Sequence, residues 1–170
     1  FKSKLNASVS KSSRFADHKI QQVTGNLLAS LGFNEILNNS LTTPVYASLN
    51  DAFKEDYNVT MLNPLSTDLS VMRQSLLFSG LEVVAFNSNR RQPDLKLFEF
   101  GKSYHNFPGG REEHKHLTLL LSGKQNAENW FQQQQNTTFF NLKGNVEAVL
   151  SRLGIAQWKV KPLKDAQFSE

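Results

Sequence analysis

The side chains in this sequence whose types and spacing could do chemistry are three histidines and a few charged residues around them. His114 and His116 are two positions apart, and alternate residues of a strand point the same way, so their imidazoles could share a metal ion with Glu112 or Glu113 nearby. The pair adjoins a polar turn, however, and two His beside loop carboxylates are ordinary surface composition, so metal binding is not assigned. Gly109-Gly110-Arg111 has the makings of a phosphate cradle, but Pro108 precedes it and no helix pattern follows, so it reads as a β-turn. No Ser, His and carboxylate fall into a complete motif; triads assemble in space, so this only lowers the prior for a nucleophile. The chain has no Cys, which excludes disulfides and thiolate metal sites. No catalytic, cofactor-binding or metal-binding residue is assigned.

Arg73 and Glu99 each interrupt an otherwise apolar stretch. A charge drawn out of water needs a partner, so each is expected to be satisfied by a hydrogen bond or ion pair, inside the domain or across an interface. Asn63-Pro64 is expected to end a strand and fix a turn. Arg90 and Arg91 read as a solvated helix end facing the C-terminal dipole, with nucleic-acid contact the lesser reading.

Composition sets the frame for these side chains. With 170 residues, 39% hydrophobic and 20% charged, the chain fits one globular domain over 1–170. It opens at Phe1 without Met and stops inside a polar stretch, which reads as a segment of a longer chain. Thirteen Phe against two Met point to an aromatic core. No run approaches the roughly 20 apolar residues of a membrane helix, and no signal-peptide pattern opens the chain, so a soluble, cytoplasmic protein is expected. The net charge of +4 is not gathered into a basic stripe.

Several elements must position these residues. Ile20, Val23, Leu27, Leu28 and Leu31 recur at helical spacing, with Asp17 or Ser13 as cap and Gly32 as stop. A strand is expected over 33–41, a short helix from Thr43-Pro44 to about 52, and a strand over 59–62. A helix follows over 76–89, in which Gly80 permits close approach of another backbone. Strands over 95–100 and 117–121, turned at Pro108-Gly109-Gly110, make a hairpin, and 132–135 is a solvated loop. Leu142, Val146, Val149, Leu150 and Leu153 specify a last helix ended by Gly154, and a strand begins at 158–161. No strand-helix alternation with a glycine-rich turn is present, so an α+β domain with helices packed on an antiparallel sheet is expected.

Four stretches in order carry a family resemblance: Asn63-Pro64-Leu65-Ser66; Leu69 to Leu76; Asn87 to Arg91; and Leu97-Phe98-Glu99-Phe100-Gly101-Lys102-Ser103-Tyr104. Together with Leu31-Gly32-Phe33-x-Glu35 and Phe139 to Glu147, they resemble the catalytic-like core of the bacterial phenylalanyl-tRNA synthetase beta subunit. The resemblance implies a class II aminoacyl-tRNA synthetase-like core fold and a non-catalytic module that supports alpha2beta2 assembly. The alpha subunit would be its partner, with tRNA(Phe), ATP and magnesium belonging to the whole ligase and no cofactor to this segment. Ile20, Val23, Leu27 and Leu31 would then lie on the interface helix, and Asn63, Pro64, Arg73 and Glu99 would be structural or interface residues.

A working class II core needs a fixed guanidinium on this hairpin, because phosphoryl oxygens gain charge in the transition state. His105 stands near that position, and a largely neutral imidazole cannot make the bidentate, permanently charged contact. Two alternatives remain open: a small enzyme using His105, His114 and His116, and a free-standing RNA-binding module.

Overall fold

The structure, a computed structural model, describes residues 17–49, 53–126, 129–131 and 133–161. The first apolar period builds α1 (Asp17–Ser30). Its end is a Schellman motif: Gly32 adopts φ 85°, Gly32 N donates to Ala29 O, and Phe33 N donates to Leu28 O. Leu28 and Phe33 then meet in the core, which is the hydrophobic contact this motif favours. Asp17 is the first residue of the helix, where its carboxylate suits the dipole; Ser13 lies outside the described residues.

The strand expected over 33–41 forms only at its two ends, as β1 (Asn34–Glu35) and β2 (Leu41–Thr42), which belong to different sheets. Between them the amide side chains compete with a ladder: Asn39 Oδ1 accepts from Leu41 N at 3.0 Å, and Asn38 turns toward Glu99. Thr43-Pro44 opens a 3-10 turn, Pro44–Ser48, shorter than the helix expected; residues 50–52 lie outside the described set. β3 (Val59–Thr60) and β4 (Val71–Met72) complete a small antiparallel sheet in the order β2-β4-β3. The strand expected to reach 62 stops early, and Leu62 is 95% exposed.

α2 (Leu77–Ser88) follows, then two strands of 13 residues, β5 (Leu95–Phe107) and β6 (Gly110–Ser122), joined through Pro108-Gly109. The hairpin runs well beyond the apolar runs that announced it, because Lys102 to Phe107 pairs residue for residue with Gly110 to Lys115. α3 (Phe139–Arg152) ends at Gly154 (φ 79°), and residues 133–135 are irregular. The strand expected at 158–161 is absent: those residues are exposed and pair with no strand among the described residues.

The architecture is α+β, with one departure from a purely antiparallel sheet. β1 pairs in parallel with β5, Asn34 opposite Leu97 and Glu35 opposite Phe98, in the order β1-β5-β6. The main core forms on one face of the hairpin. Leu28, Phe33, Phe98 and Val149 are buried there, with Leu27, Leu31, Phe100, Leu117, Leu119 and Leu121 packed against them. Each such side chain fully buried contributes about 1.5–3 kcal/mol. Among the described residues no helix is long and apolar enough to cross a membrane.

Candidate functional site

Register decides what each face of the hairpin carries. Phe98, Phe100, Leu117 and Leu119 share the face beneath α1 and α3. The opposite face carries Leu97 with Leu120, Glu99 with Thr118, Gly101 with His116, Ser103 with His114, and His105 with Glu112. α2 closes one end of this second face: a Cβ placed on Gly80 would come within 2.5 Å of Leu120 Cδ1, so a side chain there would have to push Leu120 aside.

The centre of the second face is held by Arg73 and Glu99. Arg73 Nη1 lies 2.8 Å from Glu99 Oε1, with side chains 4% and 1% exposed. Arg73 Nε donates to Lys102 O at 3.0 Å and Nη1 to Ser79 Oγ at 3.4 Å. Asn38 donates from its side chain to Glu99 Oε2 at 2.9 Å and from its backbone to Oε1 at 3.3 Å. The Arg73 backbone is also engaged, its N donating to Ser40 O and its O accepting from Tyr104 N, both at 2.9 Å. One buried pair therefore joins the segments around 38–40 and 73, α2 and β5, with its hydrogen-bonding groups met as a desolvated pair requires. Gly101 makes this possible, because a Cβ there would meet Arg73 Nη2 at 2.4 Å and Leu76 Cδ2 at 2.6 Å.

Toward the turn, imidazoles and rings replace charge. Ser103, buried, and His116 are joined by a 2.7 Å hydrogen bond between Oγ and Nε2. His105 stacks on Phe107 with centroids 5.3 Å apart, and Tyr57 meets Phe107 edge-on at 4.9 Å. Burial holds His105 below the ordinary imidazole range, helped by His114 and His116 and opposed by Glu112. His116 is likewise lowered, by burial first, then by His114 and Arg73. His105 and His116 are thus both biased toward the neutral ring.

Two hollows adjoin the buried pair and the lysines of the hairpin. The cavity beside Arg73, lined also by Tyr46, Asn58, Phe78 and Ser79, measures about 20 Å³, room for a water. A hollow of about 290 Å³ beside Lys102 and Lys115 is larger. Both cations are already committed, Lys102 to Glu113 at 2.7 Å and Lys115 to Asp17.

The residues singled out in the sequence fall into three places. Arg73 and Glu99 are brought together in the network. Leu27 and Leu31 pack on the core, Val23 is half-buried and Ile20 is exposed, so the apolar stripe of α1 faces its own sheet for most of its length. Asn63 and Pro64 sit in an exposed loop. His105 and His114 approach each other, whereas His116 is taken by Ser103. Sequence reasoning missed Asn38, Ser79, Ser103 and Gly101; only Gly101, a glycine inside a strand pattern, offered a signal.

The profile of the phenylalanyl tRNA synthetase beta chain CLM domain matches residues 2–170. The chain belongs to that family. A phenylalanine–tRNA ligase beta subunit of Bacteroides thetaiotaomicron is 41% identical over 162 residues, covering 89% of this chain and 20% of that protein. The Bacteroides fragilis beta subunit is 42% identical over 148 residues, covering 81% and 18%. The chain thus spans about a fifth of the length of the curated relatives it matches. Among solved structures, a pyrrolysyl-tRNA synthetase from Desulfitobacterium hafniense superposes with TM-score 0.59 at 14% identity, covering 84% of this chain and 48% of that one. An ATP phosphoribosyltransferase regulatory subunit/histidyl-tRNA synthetase from Bacillus halodurans gives 0.57 at 16%, covering 86% and 40%. Likeness at such identity speaks for the fold, a class II aminoacyl-tRNA synthetase-like core.

Proposed function

We propose that this CLM domain is a non-catalytic core module of the beta subunit of a cytoplasmic phenylalanine–tRNA ligase. It supports an alpha2beta2 assembly in which the alpha subunit carries the chemistry, and it is a single structural unit of a longer chain. The whole ligase uses ATP and magnesium to charge tRNA(Phe) with phenylalanine, and this module supplies neither of those two sites. One observation carries the reading. The hairpin face on which a class II core handles ATP is occupied by the buried Arg73–Glu99 pair, with His105 near the place of the needed guanidinium.

In this reading Ile20, the exposed member of the α1 stripe, faces the alpha subunit, while Leu27 and Leu31 serve the core. The test is phenylalanine-dependent exchange between ATP and pyrophosphate, measured on the full-length protein with and without alpha subunit. Exchange appears only when alpha is added. Exchange by this protein alone, lost on His105→Ala, would replace the proposal with the small-enzyme reading.

A further inference from the structure

Near the turn, outside the network that fills the sheet face, two imidazoles meet across the hairpin. His105 is opposite Glu112 and Ser103 is opposite His114, so His105 and His114 are diagonal neighbours on one face. Their ring centroids are 5.7 Å apart and their planes 58° from parallel. We infer that His105 and His114 form a two-imidazole clip for a divalent transition metal such as Zn²⁺ or Cu²⁺, with the Glu112 carboxylate beside it balancing charge.

The distances suit the chemistry. A metal held ~2.1 Å from one nitrogen of each ring sets the two centroids roughly 5–6 Å apart. Ligation uses the lone pair in the ring plane, and His105 offers its face, not its edge, to Phe107, with interplanar angle 4°. Glu112 Oε2 lies 3.2 Å from His114 Nε2, so the carboxylate already stands at the imidazole edge. The two side chains are 55% and 48% exposed, which opens the clip to solvent on that side.

A second observation points to a ligand. His105 Nδ1 is buried and has no hydrogen-bond partner among the described residues. A buried ring nitrogen left unmet is costly unless water or an ion satisfies the ring. Imidazole with a neighbouring carboxylate favours Zn²⁺, Cu²⁺ or Ni²⁺ over Mg²⁺ or Ca²⁺, which prefer all-oxygen shells. Among the described residues no three His, Asp or Glu side chains converge as a ready metal site, so two imidazoles bind and water completes the sphere. His116 stands outside the clip: the ring that approaches His105 is that of His114, and His116 Nε2 is bonded to Ser103 Oγ at 2.7 Å. The bound ion would staple β5 to β6 at their turn end.

The test uses the purified full-length protein, stripped with a chelator and titrated with Cu²⁺ or Zn²⁺. The first equivalent of Cu²⁺ gives an electron paramagnetic resonance spectrum with splitting from two imidazole nitrogens, and Zn²⁺ displaces it. His105→Gln and His114→Gln each remove that spectrum and weaken Zn²⁺ binding by about tenfold or more, whereas His116→Gln leaves both unchanged. Circular dichroism confirms that each variant folds. The inference is overturned if the wild-type protein binds neither ion, if the spectrum survives both Gln variants, or if His116→Gln abolishes it equally.

Discussion

The guanidinium of Arg73 and the carboxylate of Glu99 meet at 2.8 Å in the middle of a sheet face, with hardly any of either side chain in contact with water. A pair so placed is costly to form and more costly to break, because removing one partner leaves the other charge stranded. It ties β5 to α2 and to the segment that leaves β1.

Arg73→Met or Glu99→Leu alone should therefore cost about 3–5 kcal/mol of local stability, and the double change should cost less than either. Amide hydrogen exchange of β5 in the full-length protein checks this. The Tyr104 amide, which donates to Arg73 O, should be among those that exchange faster in the single variants.

Gly101→Ala should destabilise the same face by about 1–3 kcal/mol, since the new methyl collides with Arg73 and Leu76. Gly109→Ala, where a Cβ meets nothing within 4 Å, should be near neutral. Comparing the two by thermal unfolding separates crowding at the buried pair from a general intolerance of the hairpin.

Arg91 closes α2 in the left-handed region, with φ 63°, its N donating to Ser88 O while Gln92 N reaches Asn87 O. Glycine is the residue that this position of a helix ending favours. Arg91→Gly should stabilise the domain by about 0.5–1 kcal/mol, read as a raised unfolding midpoint. Arg90→Gly should do the reverse, because that guanidinium caps Phe86 O and lies over the Phe86 ring.

Tyr46 stacks on Phe78 and donates to Glu82, which together with burial pushes its hydroxyl up to about 12. A raised pKa in the folded state means stability that is whole below the unfolded value near pH 10 and is lost as pH rises toward about 12. Screening of this partly exposed pair leaves about 1 kcal/mol. Unfolding followed across that alkaline window should lose this component in Tyr46→Phe.

Much of the architecture was legible because the sequence states it locally. The period through α1 and the glycines after α1 and α3 place two helices and their Schellman ends within a residue or so. The hairpin was legible from its apolar half and its turn, but not in its length. Its turn end alternates Lys, Tyr, Asn and Glu with Ser and His, which pair through the backbone without an apolar signal. The segment over 33–41 misled because its Asn side chains bond locally and across to Glu99, a competition invisible without the fold. Arg73 and Glu99 stood out as charges needing partners, yet nothing in their spacing said that each was the other's. The imidazoles likewise suggested His114 with His116 by strand alternation, whereas the long register brings His105 to His114 and gives His116 to Ser103.

In the proposed function this sheet face is filled rather than open to ATP. A crystal structure of the full-length protein without alpha subunit, grown with a stable phenylalanyl-adenylate analogue, tests it most directly. The account predicts the Arg73–Glu99 pair intact and no analogue on the hairpin face. An analogue seated there, with Arg73 swung from Glu99 onto its phosphate, would contradict it.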